Sequence, residues 1–414
     1  LVDEVAPSNS TTQANTFAPQ RKPLVSRRAL CFLNGMKSLW PLALILLTTL
    51  AAPAAELLVY FGTYTSGISK GIYVARFDST TGKLSEPELA AAARNPSYLA
   101  VHPTGKFLYA VGELNDAQGQ RAGAVSAFAR DPKTGKLTLL NQQTSGGTGP
   151  CHVSVDATGQ CVLVANYGGG SIAALPVRAD GSLGEAATTI QHTGASVNPQ
   201  RQTKPYAHFI IPSPDNRFAL VCDLGLDKVL LYQLAPATAK LTPNEPAAGV
   251  VPPGSGPRHL AFAPHGKFVY VINEIKRTVT SFAYDAKTAA LTELQTLSTL
   301  PADYSATTKD SCAHILVHPS GKFVYGSNRG HDSIAVFAVD AKSGKLTLVQ
   351  NESTQGKTPR NFAIDPSGNW LLAENQNSDS VVVFALDATT GKLKPTGQTR
   401  TVGAPVCAVF VEAK

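Results

Sequence analysis

Charge is scarce in this chain. Asp, Glu, Lys and Arg make up 16% of its 414 residues, beside an ordinary apolar share of 43%. So little charge suits a chain built mostly of strands buried on both faces. Tryptophan occurs twice, and one of the two, Trp40, lies ahead of the repeated region, so blades that need a recurring Trp-Asp pair are excluded. Recurring Gly-Gly doublets before an aromatic are missing as well, which removes the kelch pattern. None of the six cysteines forms a Cys-x-x-Cys pair, so neither a zinc site nor a redox pair is signalled, and no metal or other cofactor is expected. Cys151, Cys161, Cys222, Cys312 and Cys407 read as small buried hydrophobes without a disulfide. The longest apolar run stays under the ~18 residues that a membrane span needs.

What the chain has is self-similarity. An apolar strand, a Pro-x-Gly-Lys type turn and a second strand recur every 46 to 55 residues. The clearest copies are NPSYLAVHPTGKFLYAVGEL (Asn95–Leu114), GPRHLAFAPHGKFVYVINEI (Gly256–Ile275), CAHILVHPSGKFVYGSNRG (Cys312–Gly330) and TPRNFAIDPSGNWLLAENQN (Thr358–Asn377). Looser copies begin at Gly149 and Lys204. A third strand and a Thr-Gly-Lys-Leu turn follow, as in AVFAVDAKSGKLTLV (Ala335–Val349). All-strand units of this length are propeller blades. The expected fold is all-β, a seven-bladed β-propeller of four-stranded antiparallel blades.

Second strands near Leu57–Tyr64, Phe107–Gly112, Cys161–Asn166, Phe218–Asp223, Phe268–Asn273, Phe323–Asn328 and Trp370–Asn375 give the count of seven. The first has no inner strand before it, whereas Gly403–Val411 at the other end matches the inner strand of the second copy. The carboxyl-terminal strand is therefore expected to complete blade 1 and remove the free edges.

The amino terminus reads differently. A basic start at Met36-Lys37, an apolar core and a small-residue site at Ala52-Pro53-Ala54 have the layout of a secretory signal. The expected division is residues 1–35 as a mis-called or disordered extension, 36–54 as a signal peptide and 55–414 as the propeller, periplasmic or secreted and without a stable membrane anchor. Cutting off residues 1–54 removes five basic and two acidic residues, taking the net charge from +7 to +4. The lysines that remain sit mainly in the repeated turns around the ring, so a nucleic-acid partner is not expected. A monomer is.

The topology places a site before any kinship is considered. First strands start, and second strands end, at one rim of the central channel. The long connections Ala187–Lys204 and Thr296–Asp310 join them there. Strand starts bring His152, His208, Arg258, His259, His314 and Arg360. Second-strand ends bring Asn166, Tyr167, Asp223, Asn273, Glu274, Asn328, Arg329, Glu374 and Asn375. A concave rim carrying histidines, arginines and carboxylates together is where binding is expected. The recurring Asn166, Asn273, Asn328 and Asn375 also fit a turn cap common to all blades, and Gly168–Gly170 fits a tight turn better than an anion nest. His102, His265 and His318 belong to the opposite turns and read as surface residues. Arg258 beside His259, with Glu274 ending the paired strand, is the most suggestive cluster: a fixed cation for an oxyanion, with a carboxylate to orient or deprotonate.

FGTYTS (Phe61–Ser66), PCHVSVD (Pro150–Asp156), NYGGGSI (Asn166–Ile172), PYAH (Pro205–His208), GPRHLAF (Gly256–Phe262), SNRGHDSIAVF (Ser327–Phe337) and TPRNFAIDPSG (Thr358–Gly368) resemble the propeller-type lactonase family. That family holds bacterial 6-phosphogluconolactonases and is related to fungal carboxymuconate cyclases. The resemblance runs from about Glu56 to Val411. It implies a seven-bladed propeller that hydrolyses a sugar lactone, a small-molecule substrate, to the open acid. Carried over by position, His152, His208 and Glu274 are base candidates, with Arg258 as the electrostatic clamp. Asn166, His259 and Arg329 would orient the substrate, and Tyr167, Asp223, His314 and Arg360 complete the rim. Tyr206 stands where the family more often has a second His, and His314 where it commonly has Glu. Two other readings compete with hydrolysis: a non-catalytic envelope-binding propeller and a lactonising cycloisomerase.

Overall fold

Each copy of the repeat supplies the two inner strands of a four-stranded antiparallel sheet. The computed structural model describes residues 56–413 apart from 117, 118 and 120, and the expected leader and extension lie outside the described residues. In blade 5 the strands are Pro257–Phe262, Phe268–Asn273, Thr278–Tyr284 and Leu291–Ser298, paired in that order. The second strand, Phe-Val-Tyr-Val-Ile-Asn, is buried along its whole length, which is why it reads as an unbroken apolar run. The fourth strand is mostly half-exposed and carries the polar residues.

Seven such sheets form the ring. Pro405–Glu412 pairs antiparallel with Glu56–Thr63, so the carboxyl-terminal strand is the inner strand of blade 1. The outer edge of that blade is split into Lys83–Leu84 and Glu88–Ala92.

The apolar core lies between blades rather than within them. Leu163 and Ile172 of blade 3 cluster with Ile210 and Val221 of blade 4. Val59, Phe61 and Phe77 of blade 1 do the same with Leu372 and Val383 of blade 7. A single blade therefore buries little alone, and the ring is stabilised at its interfaces. The glycine of a Thr-Gly-Lys-Leu turn serves one of them. Gly82 has φ +70°, and a Cβ there would stand 2.5 Å from the Trp370 ring of blade 7. Trp370 also donates from Nε1 to the Ser79 carbonyl at 2.8 Å, locking the first and last blades together.

The opposite turns correct one expectation. His265 is exposed, but His102 and His318 are buried. His102 Nε2 lies 3.0 Å from the Gly159 carbonyl of the next blade, and His318 Nε2 lies 2.8 Å from that of Gly368. These histidines bridge neighbouring turns, which a reading of one turn in isolation does not reveal. The connections at the polar rim are also shorter than expected, because Thr188–Gln191 is the fourth strand of blade 3 and blade 5 continues to Ser298.

Candidate active site

A β-bulge in the innermost strand builds the polar rim. In blade 5, Pro257 pairs with Asn273 and His259 with Ile272, leaving Arg258 as an extra residue. The same shift leaves Cys151, His208 and Arg360 extra in blades 3, 4 and 7. Strict alternation would send successive side chains to opposite faces. A bulge re-aims one of them, so adjacent pairs such as Arg258 and His259 both reach the axis.

The bulge residues His208, Arg258 and Arg360 line an upper cup with Tyr64, Glu113 and His259. Beside it a groove of about 980 Å³ runs between Arg201, Glu274, Lys276, Lys309 and Arg329. Glu274 is the hub. It receives Arg201 Nη2 on Oε1 at 2.5 Å, while Arg258 Nε at 3.0 Å and Arg329 Nη2 at 2.9 Å meet Oε2. Burial would raise its pKa, but Arg329 and Arg258 outweigh burial and hold the carboxyl well below its ordinary range. Such a carboxylate neutralises and positions guanidiniums. With three guanidiniums on it, the carboxylate takes up a proton poorly.

Arg258 is 2% exposed and held on several sides. Its Nη1 donates to His259 Nε2 at 3.1 Å and to the Ala313 carbonyl at 2.6 Å. Burial, with Arg360 and Arg329 nearby, brings its pKa down to about 10, so it stays a cation at neutral pH. Its Nη2 makes no hydrogen bond among the described residues. Arg360 lies over the Tyr64 ring at 5.3 Å and likewise makes no hydrogen bond there. His208 is 4% exposed, and burial followed by Arg258 moves its pKa well below the usual imidazole value, so the ring is neutral.

The expectations did not include Glu113, which accepts from the Tyr64 hydroxyl at 2.8 Å and from the Ser97 hydroxyl at 2.5 Å. The repeat register could have found it. Tyr64, Glu113, Tyr167 and Glu274 each follow the last residue of their blade's second strand, so Glu113 is the blade 2 counterpart of Glu274. Arg201, in the connection before blade 4, has no such signal.

Below the cup the channel is filled by an aromatic ring of residues. His152 lies between Tyr98 and Phe209, at centroid distances of 4.2 and 3.9 Å. His259 touches Phe209 at 4.6 Å and His314 at 5.1 Å. His152, a base candidate, and His314, expected on the substrate-binding rim, line the channel on the far side of this ring and not the cup.

Two further candidates turn out to be structural. Asn166 is fully buried, and its Nδ2 donates to the Ser145 carbonyl and the Ser171 hydroxyl, the turn cap that a recurring Asn allows. Asp223, also fully buried, accepts from the Tyr206 and Gly225 amides and faces His192 Nδ1 at 2.7 Å. Neither leaves a face for substrate. Gly168–Gly170 is a tight turn: the Gly169 and Gly170 amides bond to the carbonyls of Thr148 and Asn166. Tyr167 stays at the rim, with its ring 5.2 Å from that of His208.

The upper cup thus joins a neutral imidazole, two guanidiniums with free N–H groups and a carboxylate, on a seven-bladed ring. Residues 58–410 match the family described as Lactonase, 7-bladed beta-propeller. Over 303 residues the chain is 40% identical to the 6-phosphogluconolactonase of Bacillus subtilis, covering 73% of this chain and 83% of that one. It is 35% identical to the 6-phosphogluconolactonase of Formosa agariphila, covering 71% and 82%. The solved structure of a periplasmic gluconolactonase from Pseudomonas aeruginosa superposes with a TM-score of 0.81 at 36% identity, covering 87% of this chain and all of that one. The chain belongs to the seven-bladed β-propeller lactonase family.

Proposed function

We propose that this protein is a sugar-lactone hydrolase of the 6-phosphogluconolactonase type, with its reaction centre in the upper cup. The observation that carries the reading is His208 standing beside Arg258 and Arg360 in one pocket. Water attacks the lactone carbonyl carbon and gives up a proton to the neutral imidazole of His208. Arg258 Nη2 faces the developing oxyanion, a charge that the ground-state ester does not carry. The ring C–O bond then breaks and the leaving alkoxide recovers the proton, giving the open hydroxy acid. Glu113 holds Tyr64 and Ser97 in place and accepts from a substrate hydroxyl. Arg360 and the cationic groove beyond it take an anionic substituent, a phosphate where the substrate has one.

The small-residue site at Ala52–Ala54 and the periplasmic relative both support an exported enzyme that meets unphosphorylated aldonolactones. Two measurements decide phosphate selectivity and export. The purified protein is assayed in a pH-stat on δ-gluconolactone with and without a 6-phosphate, above spontaneous hydrolysis, and the amino terminus of the cell-exported form is sequenced. Acceleration of at least one lactone is expected. No acceleration of either overturns the assignment.

A further inference from the structure

On the far side of the ring from the cup, the central channel opens as a cavity of about 650 Å³. Every blade contributes apolar wall, including Val155, Ile211, Phe262, Val317, Ile364 and Phe410. Its polar lining consists of His152, His314, Tyr98 and Asn361, with Ser154, whose hydroxyl is spent on the Ile210 carbonyl.

The hydrogen bonds fix which nitrogens there carry protons. A guanidinium only donates, so Arg258 Nη1 makes His259 Nε2 an acceptor. The proton of the neutral His259 ring is then on Nδ1, which donates across 2.8 Å to His314 Nδ1. His314 therefore carries its proton on Nε2. In the same way the Ile210 amide donates to His152 Nδ1 at 3.3 Å, leaving the proton of His152 on Nε2. Burial keeps all three rings neutral. Neither Nε2–H of His152 and His314 has a hydrogen-bond partner among the described residues, although the two residues are only 2% and 5% exposed. Both residues line the channel, so these two donors are available to an acceptor that enters it.

We propose that this channel is a second ligand site, taking a small apolar molecule that bears a carbonyl or carboxylate oxygen. The oxygen accepts from the Nε2–H groups of His152 and His314, and the hydrocarbon part lies along the apolar wall. The site lies below the lactone cup and meets it at Tyr98, which lines both, and through the chain His314, His259 and Arg258. A protonated amine, which can only donate, finds no acceptor in the two imidazoles and should bind more weakly.

The test uses octanoate, octanamide and octylammonium on the intact protein, read by calorimetry and by NMR of the imidazole N–H groups. Octanoate and octanamide are expected to bind and to shift the His314 Nε2–H signal, and octylammonium to bind about tenfold more weakly or worse. One variant, Ala100→Phe, places a large apolar side chain on the channel wall. It is expected to lose octanoate affinity by about tenfold or more while lactone hydrolysis is kept. Equal binding of octylammonium, undiminished octanoate binding in Ala100→Phe, or no binding of octanoate and octanamide at millimolar concentration would each overturn the proposal.

Discussion

His259 and His314 meet nitrogen to nitrogen, Nδ1 to Nδ1 at 2.8 Å, with Arg258 fixing the direction of the bond from the other side. One of the two must donate, and the guanidinium decides that it is His259. Nitrogen-15 NMR with long-range proton coupling should find the Nδ1–H tautomer at His259 and the Nε2–H tautomer at His314. The opposite pair would mean that Arg258 does not bond to His259 in solution.

The buried histidines make stability depend on acid. His152, His208, His259 and His314 all have pKa values below the ordinary 6.5, that of His314 at about 3, chiefly through burial. The unfolded chain takes up their protons near pH 6.5 and the folded chain does not. Stability is therefore full above pH 6.5 and is lost as pH falls below it. Each such group contributes a slope of up to about 1.4 kcal/mol per pH unit. Denaturation midpoints measured from pH 8 to 4 should show this fall, and His314→Phe should flatten it by one proton.

Glu374 works in the opposite direction. Its carboxyl is fully buried, neither oxygen has a partner among the described residues, and burial raises its pKa well above 4.5. The folded state keeps a proton that the unfolded state releases above pH 4.5, so this group costs stability increasingly as pH rises. Glu374→Gln should leave the melting temperature unchanged near pH 4 and raise it at pH 8. A variant less stable than the parent at both pH values would mean that the carboxylate is ionised and satisfied.

Removing the carboxylate hub should be severe. Glu274→Gln leaves Arg201, Arg258 and Arg329 facing one another without a counter-charge. Breaking a buried pair of this kind costs about 3–5 kcal/mol. Because Arg258 is also released from its position, lactone turnover should fall by about a hundredfold or more. Full activity with unchanged stability would show that the three arginines are held by other groups.

Within the cup, His208→Ala should lower kcat by about 10²–10⁴ with the fold intact. Arg360→Ala should act mainly through KM, and more for an anionic lactone than for a neutral one. The proper control is His265→Ala, which is exposed and should be silent. His102→Ala should instead destabilise, by about 1–3 kcal/mol, because the Gly159 carbonyl loses its partner. Reduced turnover in His265→Ala would undermine the placement of the site.

The sequence by itself determined the seven blades, their second strands almost to the residue, and a closing strand read at Gly403–Val411 and found at Pro405–Glu412. Those features rest on local periodicity and turn chemistry, which each copy of the repeat carries whole. It also determined which rim is polar, since strand direction sends all first-strand starts to one side. What only the tertiary structure decided is the partition of that rim. The bulges at Cys151, His208, Arg258 and Arg360 shift side chains off simple alternation, and nothing in a pattern of apolar residues marks them. Whether His208 joins the cup while His152 and His314 face the channel depends on how seven strands stack around an axis. Arg201 reaches Glu274 across 73 residues of sequence, and His102 reaches Gly159 across 57. Contacts between blades are set by the ring as a whole, and no single repeat encodes them.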